Sequence, residues 1–445
     1  MSGLFTSLAV MLSPRGLTAV GNGAGFGGVA FMAALILAAA ASLYTARSME
    51  ALGTGAKRAT PFDGFAFGLL DAARLFTLTV LAVSWLGIAG YAVNEIFALW
   101  FPNLAASFLI LGLAAGACFL TDKSGTDLYG GCLTLAFCAF VYVAIMATQP
   151  VGAGIGYPSV VPQFFSPFMP QALEMSGYLG WLDILFLAVL VFAGFDLPLV
   201  FENKSSRVVP AVILILGAFL LFIWGALLVA VPEKLADTYV PHLMVARNVF
   251  GEGGRLLMGS TIVLGTFAAL FSFFQILGHR LKGIITEEYA HHAPRVAAVV
   301  LAIVLGALLA TGWAGEDALE SLISAGLCFW FAAYTLIDLL NIIAIRKAGG
   351  RPLIALPVMF IHLIAAIASG MYIEFPLFFY YALGAMTVAG LVFGVSYYRS
   401  GIELSKEQAL VKTESVDENS DDSGQKNEQS DDEPVAEGLN IVEYK

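Results

Sequence analysis

Long apolar runs joined by short polar segments fill the chain from about residue 4 to residue 398. Each run is near the ~20 residues that a helix needs to cross the ~30 Å hydrocarbon core of a bilayer. Candidate spans fall at 4–22, 26–46, 66–98, 103–121, 128–147, 178–202, 208–231, 254–278, 295–313, 317–345, 353–373 and 375–398, about twelve helices in all. Two joints are long: 148–177, rich in Pro, Gly and aromatics and without Lys or Arg, and 232–253. From about 405 the chain turns to "VKTESVDENSDDSGQKNEQSDDEPVAEG", too polar to bury a core. The expected organisation is a transmembrane domain over 1–400, with an acidic disordered cytoplasmic tail over 401–445.

Composition agrees: of 445 residues 59% are hydrophobic and 12% charged, far from the mix of a soluble domain. Most of the net charge of −11 lies in the tail, so it says little about what the apolar part binds. The start of the chain lacks a Lys/Arg-led short apolar core with a cleavage site, which argues against a removed signal peptide. With the N-terminus inside and strict alternation, Arg47, Lys57, Arg58, Lys123, Lys204, Arg207, Arg280, Lys282, Arg295, Arg346, Lys347, Arg351 and Arg399 fall in inside loops. Only Lys234, Arg247 and Arg255 fall outside. That asymmetry puts both termini in the cytoplasm of a multi-pass plasma (inner) membrane protein.

Two spans are interrupted where interruption is expensive. In "VFAGFDLPLVFENK" (191–204), Gly194 removes bulk, Asp196 puts a carboxylate near mid-membrane, and Pro198 cannot donate to the preceding turn. In "VMLSPRGLTAV" (10–20), Ser13, Pro14, Arg15 and Gly16 break the first span in the same way. Irregular backbone at membrane depth survives only beside protein or a watery cavity. These are spans one and six, each the start of a set of five. Interrupted helices in corresponding positions of two halves point to an inverted-repeat transporter whose site lies at the breaks. The expected repeats run over about 4–147 and 178–345, followed by helices eleven and twelve over 353–398. Freed amides suit an anionic group and freed carbonyls a cation, so a zwitterion fits.

Other polar residues carry weaker signals. Asp71 and Arg74, three apart on span three, can form a local ion pair or a gating contact. Asp183 falls at the water interface, while Asp338 and Asn341 read as an inner gate or a solvated helix end. His362 stands alone in span eleven, so no metal cluster is expected. Cys118, Cys132, Cys138 and Cys328 lack C-x-x-C spacing and read as packing residues. Gly23, Gly25 and Gly28 match G-x-G-x-x-G, but without a preceding strand they read as a tight turn between the first two spans. No Walker motif, H-E-x-x-H or G-x-S-x-G element occurs, so neither an ATP-driven pump nor a membrane hydrolase is supported.

The sixth-span residues Phe192, Ala193, Gly194, Phe195 and Asp196, followed by Glu202, Asn203, Lys204, Arg207, Pro210 and Ala211, resemble the sixth helix of the amino acid–polyamine–organocation (APC) permease superfamily. The eighth span, "GSTIVLGTFAALFSFFQILGHRLKG", and the tenth, "LISAGLCFWFAAYTLIDLLNIIAIRK", are similar to the family as well. Asp196 stands where the family usually has Glu, Ser13–Gly16 replace its usual Gly-rich first break, and span five carries no Lys. The resemblance implies an all-α membrane protein of the leucine-transporter type, with a five-plus-five inverted repeat, discontinuous helices one and six, and two further helices. It implies a non-enzymatic secondary transporter of an amino acid or related small amine-carboxylate, coupled to H+ or Na+, without cofactor or nucleic-acid partner. Ser13, Arg15, Gly16, Phe192, Ala193, Gly194 and Phe195 are then the substrate-site candidates. Asp196, Asp71 and Arg74 are candidates for coupling or gating, and Thr261, Thr266 and Ser272 (with Ser260) are possible sodium ligands. The rivals are a non-transporting membrane sensor with a signalling tail and a twelve-helix carrier of another fold; the latter's Gly-x-x-x-Asp-Arg signature is missing after span two.

Overall fold

The computed structural model describes residues 3–54, 61–97, 101–120, 122–149, 178–202, 205–282, 291–314, 316–377 and 379–395. The acidic tail, nearly all of the 148–177 joint, and Lys57, Arg58, Lys204 and Arg399 of the charge-asymmetry argument lie outside these residues.

Every regular element among the described residues is helical. The helices run α1 (Gly3–Met11), α2 (Pro14–Thr54), α3 (Pro61–Ala92), α4 (Asn103–Ala117), α5 (Asp122–Ala147), α6 (Tyr178–Val191), α7 (Pro198–Glu202), α8 (Val208–Val229), α9 (Pro232–Ala236), α10 (Pro241–Phe250), α11 (Glu252–Lys282), α12 (Ala293–Ala310), α13 (Asp317–Lys347), α14 (Ala355–Met371) and α15 (Phe379–Val395). By length and apolarity α2, α3, α5, α8, α11, α12 and α13 can each cross a membrane, and α4, α6, α14 and α15 are shorter apolar helices. Large apolar side chains such as Leu113, Leu135, Ile213, Ile303, Ile367 and Val388 are exposed, while Asp71, Arg74, Asp196 and Asp338 are buried. A water-soluble protein shows the reverse; this is the surface of a multi-pass integral membrane protein, whose apolar side chains meet lipid.

The first two spans are continuous in a way the glycine pattern concealed. Residues 21–27 remain helical, and the chain reverses at one residue, Gly28, with φ 49°. That left-handed backbone favours glycine. A side chain at Gly23 would strike the Phe31 ring, and one at Gly25 would strike the backbone of α9. The glycine run therefore sets close helix approach, and the turn itself needs only Gly28.

Local chemistry builds the break between α1 and α2. Leu12 N–H still donates to Leu8 O (2.9 Å), but Ser13 N–H shifts to Val10 O (3.2 Å), and Leu17 N–H then donates to Ser13 O (3.0 Å). Ser13 occupies the N-cap position of α2, its hydroxyl oxygen facing Gly16 N–H at 3.5 Å, and Pro14 fills the first helical position, where no N–H is needed. "SPRG" is thus a helix-start signature inside an apolar run. The second break, 192–197, is a string of tight turns: Phe195 N–H donates to Phe192 O (2.9 Å) and Leu197 N–H to Gly194 O (3.2 Å). Gly194 sits at φ 94°, and Pro198 opens α7.

Tertiary packing brings the two breaks together. The Ser7 hydroxyl reaches Gly194 O (2.8 Å) and Phe195 O (3.0 Å), so α1 hydrogen-bonds two carbonyls of the second break. A side chain at Gly194 would meet Val10, and one at Gly3 would meet Pro198. Behind them α11 comes close enough that a Cβ on Gly265 would lie 3.4 Å from Leu12 O.

Candidate functional site

Around the paired breaks, apolar walls enclose a few polar atoms. Phe192, Ala193 and Phe195 are buried, and the Phe195 ring lies against Tyr334 of α13 with centroids 5.1 Å apart. Asp196 is fully buried, and its Oδ2 accepts from Arg74 Nε at 2.7 Å and also from Arg74 Nη2. Arg74 in turn donates through Nη1 to Asp71 Oδ1 at 2.9 Å, and Arg280 Nη2 donates to the same oxygen at 2.8 Å. The chain Asp196, Arg74, Asp71, Arg280 thus links the second break, α3 and the end of α11. Two acids and two bases compensate one another, without which burying any of them costs several kcal/mol.

Not every polar atom here is satisfied. Thr266 Oγ1 of α11 is buried without a hydrogen bond among the described residues, whereas the Tyr334 hydroxyl has the side chains of Asp196 and Trp330 as partners. Tyr334 lies near enough to feel the charges of Asp196 and Arg74. Leaving a buried hydroxyl unpaired costs ~1–3 kcal/mol, so Thr266 beside the first break marks where a polar group of a ligand or ion would be satisfied.

No protein-family model and no curated protein matches the chain. Among solved structures, MhsT in complex with L-phenylalanine superposes with a TM-score of 0.50 at 14% identity, over 84% of this chain and 98% of that one. The chain has the leucine-transporter-type fold. A manganese transporter from Eremococcus coleocola, in complex with an aromatic bis-isothiourea substituted compound, gives a TM-score of 0.48 at 15% identity, over 90% of this chain and 94% of that one.

Within the leucine-transporter-type fold the sequence candidates divide into groups. Ser13 and Gly16 line the first break, and Phe192 to Asp196 form the second. Arg15 makes a two-pronged pair with Glu320 of α13: Nη1 donates to Oε1 at 3.0 Å and Nη2 to Oε2. Both partners stay partly exposed, with 26% and 42% of their side-chain surface accessible, so Arg15 lies at the solvent end of the break. Asp71 and Arg74 pair as their spacing suggested, but the pair belongs to the longer chain that includes Asp196. Of the hydroxyls on α11, Ser260 and Thr261 donate to carbonyls four residues back (2.9 and 3.0 Å) and Ser272 donates to Tyr129 (2.9 Å). Thr266 alone among these four is left free, next to Gly265 where α11 meets the first break.

Sequence reasoning missed Ser7, Arg280, Glu320, Trp330, Tyr334 and the partner of His362. Part of the signal was readable: Trp330, Tyr334 and Asp338 follow at intervals of four, a polar-tipped stripe on one face of an apolar helix. Asp338 is no solvated helix end, and His362 does not stand alone. Both are buried, with His362 Nδ1 2.8 Å from Asp338 Oδ2. Asp183, by contrast, is at the exposed end of α6, where the Tyr372 hydroxyl donates to it.

Proposed function

We propose that the chain is a secondary active transporter of the APC type that moves an amino acid or a related small amine-carboxylate by alternating access. The observation that carries this reading is the meeting of two helix breaks around buried polar side chains. The start of α2 offers backbone N–H groups and a helix N-terminus to a carboxylate. Asp196 and the carbonyls of the second break are the acceptors an ammonium would use, and Phe192, Phe195 and Tyr334 offer an apolar wall to a side chain. MhsT's L-phenylalanine, on the same fold, is a ligand of this chemistry.

In this reading there are twelve spans, the first ten forming a five-plus-five inverted repeat, with both termini cytoplasmic and the acidic tail outside the transport unit. Arg15 and Glu320 close the outer side of the site as a pair that can open. The chain Asp196, Arg74, Asp71, Arg280 holds the inner side. Thr266 Oγ1 and the Leu12 carbonyl are the groups a sodium ion would use. A thermal-shift screen of the purified protein against the amino acids, followed by uptake of a stabilising one into proteoliposomes, tests the proposal. Binding without accumulation would favour the sensor alternative, and no binding by any amine-carboxylate would overturn the substrate class.

A further inference from the structure

A second buried ionisable group lies outside the chain around Asp196. Asp338 of α13 and His362 of α14 are 0% and 1% exposed, and His362 Nδ1 lies 2.8 Å from Asp338 Oδ2. Thr45 of α2 donates its hydroxyl to the other carboxylate oxygen at 3.0 Å. One turn further along α13, Asn341 donates to the Tyr44 hydroxyl (3.1 Å) and to Ser48 Oγ (2.8 Å), so a short ladder of polar bonds ties α2 to α13. This ladder has mechanical meaning, because α2 packs chiefly on α6 and α8, and α13 chiefly on α3 and α14. Asp338 is therefore a joint between two groups of helices.

The same pair touches the wall of the ligand site. The Tyr334 ring lies 5.2 Å from the His362 ring on one side and 5.1 Å from the Phe195 ring on the other. A change at His362 thus reaches the second break through a single side chain. The titratable groups around the pair can be named element by element. On α2, Tyr44 feels the Asp338 charge and Arg47 is exposed. On α13 there is Tyr334, with Arg346 and Lys347 exposed at the helix end. On α3, Arg74 and Asp71 are already paired, on the far side of Tyr334. On α6, Asp183 lies at the exposed end with Tyr372, and α14 carries no other charge.

We infer that Asp338 and His362 form a proton-binding site that couples transport to a proton gradient, an inference that rests on the transporter reading and assigns its driving ion. With a neutral imidazole the pair carries net negative charge. One proton from water on one side, added to the imidazole, makes the pair neutral, and its release on the other side restores the charge. A buried net charge holds its hydrogen-bond donors strongly and a neutral pair holds them less, so the proton loosens or tightens the bond from Thr45 that joins α2 to α13. Intramembrane ionisable pairs that face the bundle interior are kept at a cost in stability, which is how proton relays are built.

The test uses the full chain in nanodiscs and in proteoliposomes. His362→Asn keeps a donor where Nδ1 stood but cannot take up a proton there, and Thr45→Val removes the pair's own bond to α2 while leaving the pair and the Asn341 rungs. Infrared difference spectra between about pH 5 and about pH 8 need no ligand. They should show an imidazole and carboxylate change that H362N abolishes and T45V shifts. Uptake of labelled L-phenylalanine, or of whichever amino acid stabilises the protein, should rise by up to about tenfold per unit of inside-alkaline gradient for each coupled proton. H362N should lose that gradient dependence while exchange of labelled for unlabelled amino acid at equal pH remains measurable. An infrared difference that is the same in wild type and H362N overturns the inference, even if the protein transports; so does gradient-driven uptake by H362N equal to wild type. If no amino acid is transported, the transporter reading fails alone, and the infrared comparison still decides whether the pair binds a proton.

Discussion

The pairing of Arg74 with Asp196 ties the second break to α3, and a double-mutant cycle measures it. Asp196→Asn is nearly isosteric and leaves Arg74 with Asp71, which Arg280 already shares. Breaking one partner of a buried ion pair costs ~3–5 kcal/mol, and the surviving Asp71 contact puts this substitution at the lower end, ~3 kcal/mol. Arg74→Gln leaves Asp196 without its donors and Asp71 with Arg280 only, so ~4–5 kcal/mol is expected. The double variant leaves no orphan charge at Asp196, and the two effects should fall short of additivity by about 2 kcal/mol. Melting of the detergent-purified protein followed by tryptophan fluorescence should therefore show D196N lowered by about 6–12 °C, at roughly 2–4 °C per kcal/mol. R74Q should melt lower still, and the double variant only about 2–4 °C below R74Q, where additivity would put it about 6–12 °C below. Additivity within about 0.5 kcal/mol would mean that the two side chains are uncoupled in the membrane protein, and the charge chain would lose its central link.

Gly194→Ala forces a side chain into left-handed backbone and toward Val10 Cγ1 at 2.8 Å, which should cost at least ~1–2 kcal/mol and abolish ligand binding; Val10→Ala should relieve only the steric part, and full rescue by it would show that φ is not the constraint. Arg15→Gln or Glu320→Gln should change stability by less than ~1 kcal/mol because the pair is half-exposed, yet should speed reaction of an impermeant thiol reagent with a cysteine at Ala193, and an unchanged rate would exclude a gate. Thr266→Val should weaken any sodium dependence of ligand-induced stabilisation at least about tenfold, whereas Thr261→Val and Ser272→Ala should not, since those hydroxyls already have partners; equal effects in all three would remove the assignment. His242, on α10 outside the membrane spans, is fully buried with both ring nitrogens unpartnered, and burial pushes it down to about 3 from an ordinary value near 6.5. The unfolded chain then binds the proton first, so stability should be intact above about pH 6.5 and fall as pH drops toward about 3; His242→Leu should flatten that decline, and an unaltered acid profile would refute the role.

The membrane class, the all-α fold and both helix breaks were legible in the sequence because each is a local consequence of composition. Apolar runs of fixed length can do little else than span, and Ser13-Pro14 and Gly194 with Pro198 stop or restart a helix whatever surrounds them. The charge partners were not legible. Arg15 with Glu320, Arg74 with Asp196, and His362 with Asp338 join residues 305, 122 and 24 positions apart. Nothing in the local pattern distinguishes a buried acid from a solvated one at a helix end, which is why Asp338 read as an inner gate or a solvated helix end and His362 as solitary. The spacing of Asp71 and Arg74 did announce their pair, since three residues is one turn of a helix. That the pair continues to Asp196 depends on α3 packing beside the second break. The chain alone determined where the backbone opens, because that is decided within a turn. Which charges meet there was decided by helix packing, because in a low-dielectric interior every charge must find its opposite in space and not in sequence.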